Sequence, residues 1–130
     1  MEALLERLGK LYNNLEAKMT KDRYFEMMEQ LGQEPIEEEI PPSWEDFPEE
    51  VLDAISIFNV LGDRVYPDIG YVGKDYSTLK YLAEVFEVDN QELLVQVLNF
   101  LDSRAIKKSS DELKKERDKL KRKTSGPKRS

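Results

Sequence analysis

The chain has 130 residues, of which 20 are Lys or Arg and 27 are Asp or Glu, and it contains neither His nor Cys. Without these two residue types it has no disulfide framework, no thiolate nucleophile, no Cys- or His-based zinc site and no Ser-His-Asp triad. The length suits one domain of ordinary size, and 39% hydrophobic residues are enough for a modest core.

The first segment has the hydrophobic spacing of a helix followed by a second, shorter one. Leucines recur at intervals of four, three and four residues, at Leu4, Leu8, Leu11 and Leu15. Thr20 is placed to cap a helix over 21–31, and Gly32 is placed to end it. We therefore predict a helical pair over 1–32. The leucines also form a two-heptad seam, so pairing of this helix with a second copy stays open beside packing on its own neighbour.

Residues 33–47 predict an acidic, proline-rich linker or lid. Pro35, Pro41 and Pro42 forbid a continuous helix, and six acidic side chains repel one another. Trp44, the only tryptophan, and Phe47 continue a three- or four-residue spacing of apolar residues. We therefore expect the linker to lie against another part of the protein, with these two aromatic residues as candidate protein-binding residues.

A helix over 48–61 is predicted to lie at the centre of the core. Pro48 is tolerated in a first helical turn, and Glu49 and Glu50 suit its positive end. Its apolar residues are Val51, Leu52, Ile55, Phe58 and either Val60 or Leu61. A loop over 63–76 follows, with a short extended pair expected around 65–66 and 71–72.

The loop contains glycines and a lysine that invite comparison with a phosphate-binding loop. The spacing differs, because Asp68 stands where that motif has its first glycine and Asp75 stands where it needs Ser or Thr after the lysine. We favour a tight turn that directs Tyr71 and Tyr76 at neighbouring helices. No spacing of carboxylates in the chain is distinctive for catalysis or calcium binding, so we predict no enzyme activity and no cofactor or metal.

Three further helical stretches are predicted. Asp75 or Ser77 is placed to cap a helix to about residue 86, and Asp89 with Glu92 has capping-box spacing for a helix over 90–106. Residues 107–123 are helical by propensity but bury little, and 124–130 are predicted to be disordered.

Charge is divided unequally along the chain. Residues 104–130 carry 12 basic and 4 acidic side chains, a net charge of +8, so the formal total of -7 leaves -15 for residues 1–103. The basic helix is an electrostatic tail, formed by Lys114, Lys115, Arg117, Lys119, Lys121, Arg122 and Lys123. Its candidate partners are nucleic acid, bound weakly, an acidic protein surface, or the acidic linker.

Residues 47–103 resemble phage tail assembly chaperones. The resemblance rests on Ala54-Ile-Ser-Ile-Phe-Asn-Val-Leu-Gly-Asp-Arg64 and on Gly73-Lys-Asp-Tyr-Ser-Thr-Leu79, while residues 62–65 replace the Gln-Trp pair typical of the family. It implies a non-catalytic, acidic, helical bacteriophage protein that binds structural subunits during tail assembly. The positions carried over are Phe58, Arg64, Gly73, Asp75, Tyr76 and Leu79.

Together these observations predict an all-α fold, a small bundle of about five to six helices. Its expected parts are a helical pair over 1–32, a linker over 33–47, a helical core domain over 48–106, and a basic helix with a disordered tail over 107–130. The predicted function is a chaperone or adaptor in the host cytoplasm, with no membrane association, because the longest mostly apolar run is too short to span a bilayer. A nucleic-acid-associated or transcription accessory factor is the alternative. The predicted protein-binding residues are Trp44, Phe47, Phe58, Arg64, Tyr71, Asp75 and Tyr76.

Overall fold

The computed structural model describes residues 1–124, with side chains as far as Arg122, and is mostly helical. In chain order its elements are α1 (Glu2–Glu16), α2 (Lys21–Leu31), α3 (Glu49–Val60), β1 (Asp63–Tyr66), β2 (Gly70–Lys74), α4 (Leu79–Val85) and α5 (Gln91–Thr124), with short 3-10 helices at Glu37–Glu39 and Trp44–Asp46. The chain forms two compact units, Met1–Leu52 and Asp53–Ser130, and the boundary falls within α3. Among residues 1–124, no helix combines the length and hydrophobicity needed to cross a bilayer.

The first unit contains two helices, α1 and α2, and α2 has the predicted bounds. Leu8 and Leu11 on α1 are buried, as are Tyr24 and Met28 on α2. The Thr20 side chain accepts a hydrogen bond from the Arg23 backbone N–H at 3.2 Å, which satisfies one of the unpaired donors of the first turn of α2. Gly32 ends α2 in the left-handed conformation, at φ 67°.

The acidic segment after α2 is held against the first unit by specific contacts. The Tyr24 hydroxyl accepts a hydrogen bond from the Ile36 backbone N–H at 3.1 Å. Farther along, the Trp44 ring lies edge-on to the Tyr12 ring, with centroids 5.9 Å apart. The Lys21 ammonium lies 3.3 Å from the Asp46 carboxylate. The expectation that this segment lies against other residues is confirmed.

The buried face of α3 differs in detail from the predicted one. Val51 and Ile55 are buried as expected, and Leu61, not Val60, is the buried residue at its end. Ile57 is completely buried although it was not among the predicted residues, and Phe58 is only half-buried.

A two-stranded antiparallel sheet corrects the all-α prediction to a mostly-α fold. Strands β1 and β2 pair with Asp63 opposite Lys74 and Tyr66 opposite Gly70, so the expected extended pair is confirmed. Pro67 begins a turn in which the Ile69 N–H donates to the Tyr66 carbonyl at 3.2 Å. The sheet forms because its strands carry β-branched and aromatic residues that favour extended backbone.

The two helices predicted over 90–106 and 107–123 are one continuous helix, α5. Its sequence contains neither Gly nor Pro, so nothing in the backbone interrupts it. The cap is Asn90, not Asp89, because the Asn90 side chain accepts from the Leu93 N–H at 3.0 Å. The buried residues of α5 include the five predicted ones, Leu93, Leu94, Val97, Leu98 and Leu101. The disorder predicted over 124–130 falls, apart from Thr124 at the end of α5, outside the described residues.

The predicted caps of α4 are also corrected. The Asp75 carboxylate accepts from the Ser77 N–H at 2.9 Å, but the helix begins only at Leu79. The residue that precedes α4 is Thr78, whose side chain makes no capping hydrogen bond.

Candidate functional site

A buried carboxylate lies on the inner face of α5. Asp102 follows Leu94 and Leu98 at intervals of four residues, so the three side chains share one face of the helix. The two leucines are buried and Asp102 is only 8% exposed. A carboxylate removed from water is costly unless hydrogen-bond donors surround it.

Three donors from β2 and the segment after it converge on this carboxylate. The Tyr71 hydroxyl donates to Oδ1 and the Tyr76 hydroxyl donates to Oδ2, each at 2.5 Å. The Lys74 backbone N–H donates to Oδ2 at 3.1 Å. We call Tyr71, Lys74, Tyr76 and Asp102 the Asp102 cluster. The cluster joins β2 to α5 through hydrogen bonds, which the spacing of hydrophobic residues in the sequence does not predict.

The cluster controls the protonation of its own members. Burial acts to raise the pKa of Asp102, but the hydrogen bonds from both tyrosines and from the Lys74 N–H outweigh it and leave the pKa lowered. The pKa values of Tyr71 and Tyr76 are raised well above the usual value for tyrosine. The larger cause is burial, and the second is the hydrogen bond that each hydroxyl donates to Asp102. At neutral pH the cluster is therefore one carboxylate held by two neutral phenols.

The side chain of Lys74 extends the same connection toward the end of α3. Its ammonium donates to the Asp63 carboxylate at 2.6 Å and to the Leu61 carbonyl at 3.2 Å. It also lies 4.6 Å from the centroid of the Phe58 ring, within the range of a cation–π contact. Lys74 is buried, and each of these contacts compensates for the loss of water around its charge.

Two glycines allow β2 to approach α5 closely. Gly73 has φ 125°, and a methyl group built on it would lie 3.2 Å from the Asp102 carboxylate. Gly70 has φ 86°, and a methyl group there would lie 2.7 Å from a terminal carbon of Leu113. Both positions favour glycine because L side chains rarely adopt these φ values, and a methyl group at either one would require its neighbour to move.

Contacts between the hairpin and α5 extend past Asp102 toward the C-terminal end of the helix. The Tyr71 N–H donates to the Ser109 hydroxyl at 3.3 Å, and the Arg117 guanidinium donates to the Asp68 carbonyl at 3.1 Å. With Leu113 beneath Gly70, the helix positions in contact are 102, 109, 113 and 117, which lie on one face at helical spacing. The basic part of α5 buries little, as predicted, since no residue from 107 to 122 is buried, but Ser109, Leu113 and Arg117 support the hairpin.

The end of the hairpin presents exposed apolar side chains. Val65 is 63% exposed, Tyr66 is 51% exposed and Ile69 is 62% exposed. We call these three residues the hairpin tip. They lie within seven consecutive positions from Arg64 to Gly70, on the segment that the Asp102 cluster and the face of α5 hold in place. The hairpin thus has a hydrogen-bonded base and exposed apolar side chains at its end.

Five of the predicted protein-binding residues lie at the base of the hairpin. Tyr71 and Tyr76 bond Asp102, and the Phe58 ring contacts Lys74. The Arg64 guanidinium donates to the Val72 carbonyl at 3.3 Å, and the Asp75 backbone N–H donates to the Gly62 carbonyl at 2.8 Å. The structure thus gives each of these residues a contact within its own chain. Of the other carried-over positions, Gly73 contacts the cluster, and Leu79 begins α4.

The other two predicted residues, Trp44 and Phe47, belong to the first unit. Trp44 is 40% exposed and so remains accessible. Phe47 is only 6% exposed, and its ring lies 5.8 Å from the Arg7 guanidinium. Of this pair, Trp44 offers the larger accessible surface.

The predicted electrostatic tail follows the last turns of α5. Its exposed members are Lys114, Lys115, Arg117, Lys119, Lys121 and Arg122, while the side chain of Lys123 lies outside the described part. Among them, Arg117 donates a hydrogen bond to the hairpin.

Sequence reasoning missed Asp102, Lys74 and Ser109. A detectable signal existed for Asp102, because an acidic residue stands where the spacing of Leu94 and Leu98 predicts a buried position. Such a residue requires donors, and tyrosines in the preceding loop are suitable ones. Lys74 and Ser109 carry no comparable local signal, since their contacts lie 11 or more positions away.

Within residues 1–124, no three acidic side chains are grouped as a metal site would require. Comparison with protein-family models, with curated proteins and with solved structures finds no match to this chain.

Proposed function

We propose that this chain is a non-catalytic bacteriophage protein that binds structural proteins of the tail in the host cytoplasm, as an assembly chaperone or adaptor. Two observations support the proposal: the resemblance over residues 47–103 and the exposed hairpin tip. The tip is the observation that carries it.

The tip has the properties of a protein-binding surface. Val65, Tyr66 and Ile69 expose apolar area to water, and burying that area against a partner is favourable. The base of the hairpin is fixed by the Asp102 cluster, so little conformational freedom remains to be lost on binding. Tyr66 combines a large ring with a polar hydroxyl, as residues central to binding interfaces often do.

A variant of the tip tests this function. Replacing Val65, Tyr66 and Ile69 by Ser removes the apolar surface and leaves the Asp102 cluster unchanged. We expect binding to co-expressed tail structural proteins of the same phage to weaken by about tenfold or more, because apolar anchors at an interface commonly contribute that much. The measurement is co-purification followed by titration calorimetry of the complex.

Leu31→Ser is the matched control, because Leu31 is 60% exposed and lies in the other unit. This variant should bind as the unaltered chain does. Failure of the unaltered chain to bind any tail protein, or equal binding by the tip variant with its hairpin intact by NMR, would overturn the proposal.

The basic end of α5 supports a second candidate, a nucleic-acid-associated accessory factor. Lys114, Lys115, Lys119 and Arg122 are exposed and can neutralise phosphates. If the chain is such a factor, we expect it to bind DNA or RNA with an affinity that falls steeply as the salt concentration rises. Replacing these four residues by Gln should then remove the binding. Salt-insensitive or absent binding to both polymers excludes this candidate.

A further inference from the structure

An open groove lies between α4 and the beginning of α5. Its volume is ≈ 360 Å³. Its apolar lining residues are Leu79, Ala83, Val88, Leu94 and Val95, and its charged ones are Lys80, Glu84, Glu87 and Asp89. The groove therefore combines an apolar floor with a net negative rim. Such a groove suits an amphipathic helix that carries positive charge.

The other end of α5 is a positively charged helical segment with one apolar residue, Leu120. Residues 114–122 include six basic and two acidic side chains. Lys119 and Arg122, three positions apart, lie on one side of the helix and are exposed. Leu120, between them in sequence, is 62% exposed. The basic end of α5 is thus complementary in charge to the groove and carries an apolar side chain.

The groove and the basic end of one copy are too far apart to meet. Leu94 lines the groove and Leu120 lies in the basic end, 26 positions later in one uninterrupted helix. At 1.5 Å per residue the two are roughly 40 Å apart along the helix. Any pairing between them therefore requires a second copy.

We propose that two copies associate with their α5 helices antiparallel, so that the basic end of each lies in the acidic groove of the other. An antiparallel pair related by a two-fold axis forms both contacts at once, because the two features lie at opposite ends of the same helix. The residues of the groove and of the basic end differ from those of the hairpin tip, although Arg117 contacts Asp68 beside the tip. The inference does not rest on the proposed function.

Charge reversal at the two ends tests the pairing. Glu84→Lys with Glu87→Lys makes the groove basic, and Lys119→Glu with Arg122→Glu makes the helix end acidic. By sedimentation equilibrium of nucleic-acid-free protein at low salt, we expect the unaltered chain to form dimers. Each double variant should raise the dimer dissociation constant by about tenfold or more, since attractive pairs become repulsive in both grooves.

The decisive experiment mixes the two double variants. In a mixed pair the basic groove of one variant faces the acidic helix end of the other, and both contacts are restored, so the mixture should dimerise although neither variant does alone. A Lys18→Glu variant with Arg23→Glu, at exposed positions outside the groove and the basic end, serves as a control for net charge. A monomeric unaltered chain, dimers that survive both reversals, or a mixture that stays monomeric would each overturn the proposal.

Discussion

At the scale of single residues, Asp102 accepts three hydrogen bonds that fix β2 to α5. Its two tyrosine partners can rotate their hydroxyl groups, whereas the Lys74 backbone N–H cannot turn away. A substitution at Asp102 therefore has consequences that the remaining residues cannot fully relieve.

Asp102→Asn is expected to lower the free energy of unfolding by about 1–3 kcal/mol. One carboxylate oxygen is replaced by an amide nitrogen, which donates hydrogen bonds, so one donor of the cluster loses its acceptor. Urea denaturation at neutral pH measures the loss. Asp53→Asn is the matched control, since the Asp53 side chain makes no hydrogen bond or ion pair with any residue from 1 to 122. Equal stability of the Asp102 variant and the unaltered chain would contradict the role assigned to the cluster.

The effect of Asp102→Asn on the free energy of unfolding should depend on pH. The pKa of Asp102 is lowered in the folded protein, so its contribution is present above the unfolded pKa of about 3.9 and is lost as pH falls through the folded value. The difference in unfolding free energy between the unaltered chain and Asp102→Asn should therefore be constant near neutrality and shrink in acid. Urea denaturation at several pH values measures it, and a difference that grows toward acid would contradict the direction of the shift.

At the scale of elements, the hairpin depends on how closely it can approach α5. Gly70→Ala places a methyl group against Leu113 at a positive φ, and we expect a loss of about 1–3 kcal/mol. Hydrogen exchange of the hairpin amides and urea denaturation measure the effect. Gly32→Ala is the control, because Gly32 also has a positive φ, of 67°, but a methyl group there meets nothing within 4 Å. A Gly70 variant that loses no more stability than the Gly32 variant would show that the close approach to Leu113 is not required.

Helix α2 offers a second test at this scale. Thr20→Ala removes the acceptor of the Arg23 N–H and should lower the free energy of unfolding by about 1 kcal/mol. Thr78→Ala, at the start of α4, is the matched control because that side chain makes no capping hydrogen bond. We expect the control to change stability by only a few tenths of a kcal/mol, as surface substitutions without a specific contact usually do.

At the scale of the whole molecule, the point where the charge of the chain changes sign does not coincide with the end of a structural element. The basic region begins near residue 104, but α5 continues through it, and Ser109, Leu113 and Arg117 support the hairpin. The basic part of the chain is therefore both an electrostatic surface and a structural platform.

Two truncations separate these roles. A chain ending at residue 117 keeps all three supporting residues, so its hairpin amides should keep their protection from exchange. A chain ending at residue 104 loses them, and we expect the protection of the hairpin amides to fall by about tenfold or more, as lost contacts of 1–2 kcal/mol imply. Hydrogen exchange followed by NMR measures both. Equal protection in the two truncations would mean that the distal contacts do not stabilise the hairpin.

Local patterns were sufficient to predict most of the helices. Thr20 and Gly32 bound α2 as expected, and the apolar spacing of Leu93 to Leu101 matches the buried face of α5. These features depend on residues within one or two turns of each other, so the sequence displays them directly. The extended pair around Val65 and Tyr71 is also predicted from the sequence. Because these residues form a two-stranded sheet, the fold is mostly α and not all-α.

The site was only partly visible, for a physical reason. The sequence by itself determined that Tyr71 and Tyr76 follow a glycine turn and that an acidic residue interrupts a buried face. Only the tertiary structure decided that Asp102 is their common acceptor, because these contacts join residues 26 to 31 positions apart. In the same way, the composition fixed a basic C-terminal region, whereas packing decided that part of it supports the hairpin, since which face of a long helix is covered depends on the elements folded against it.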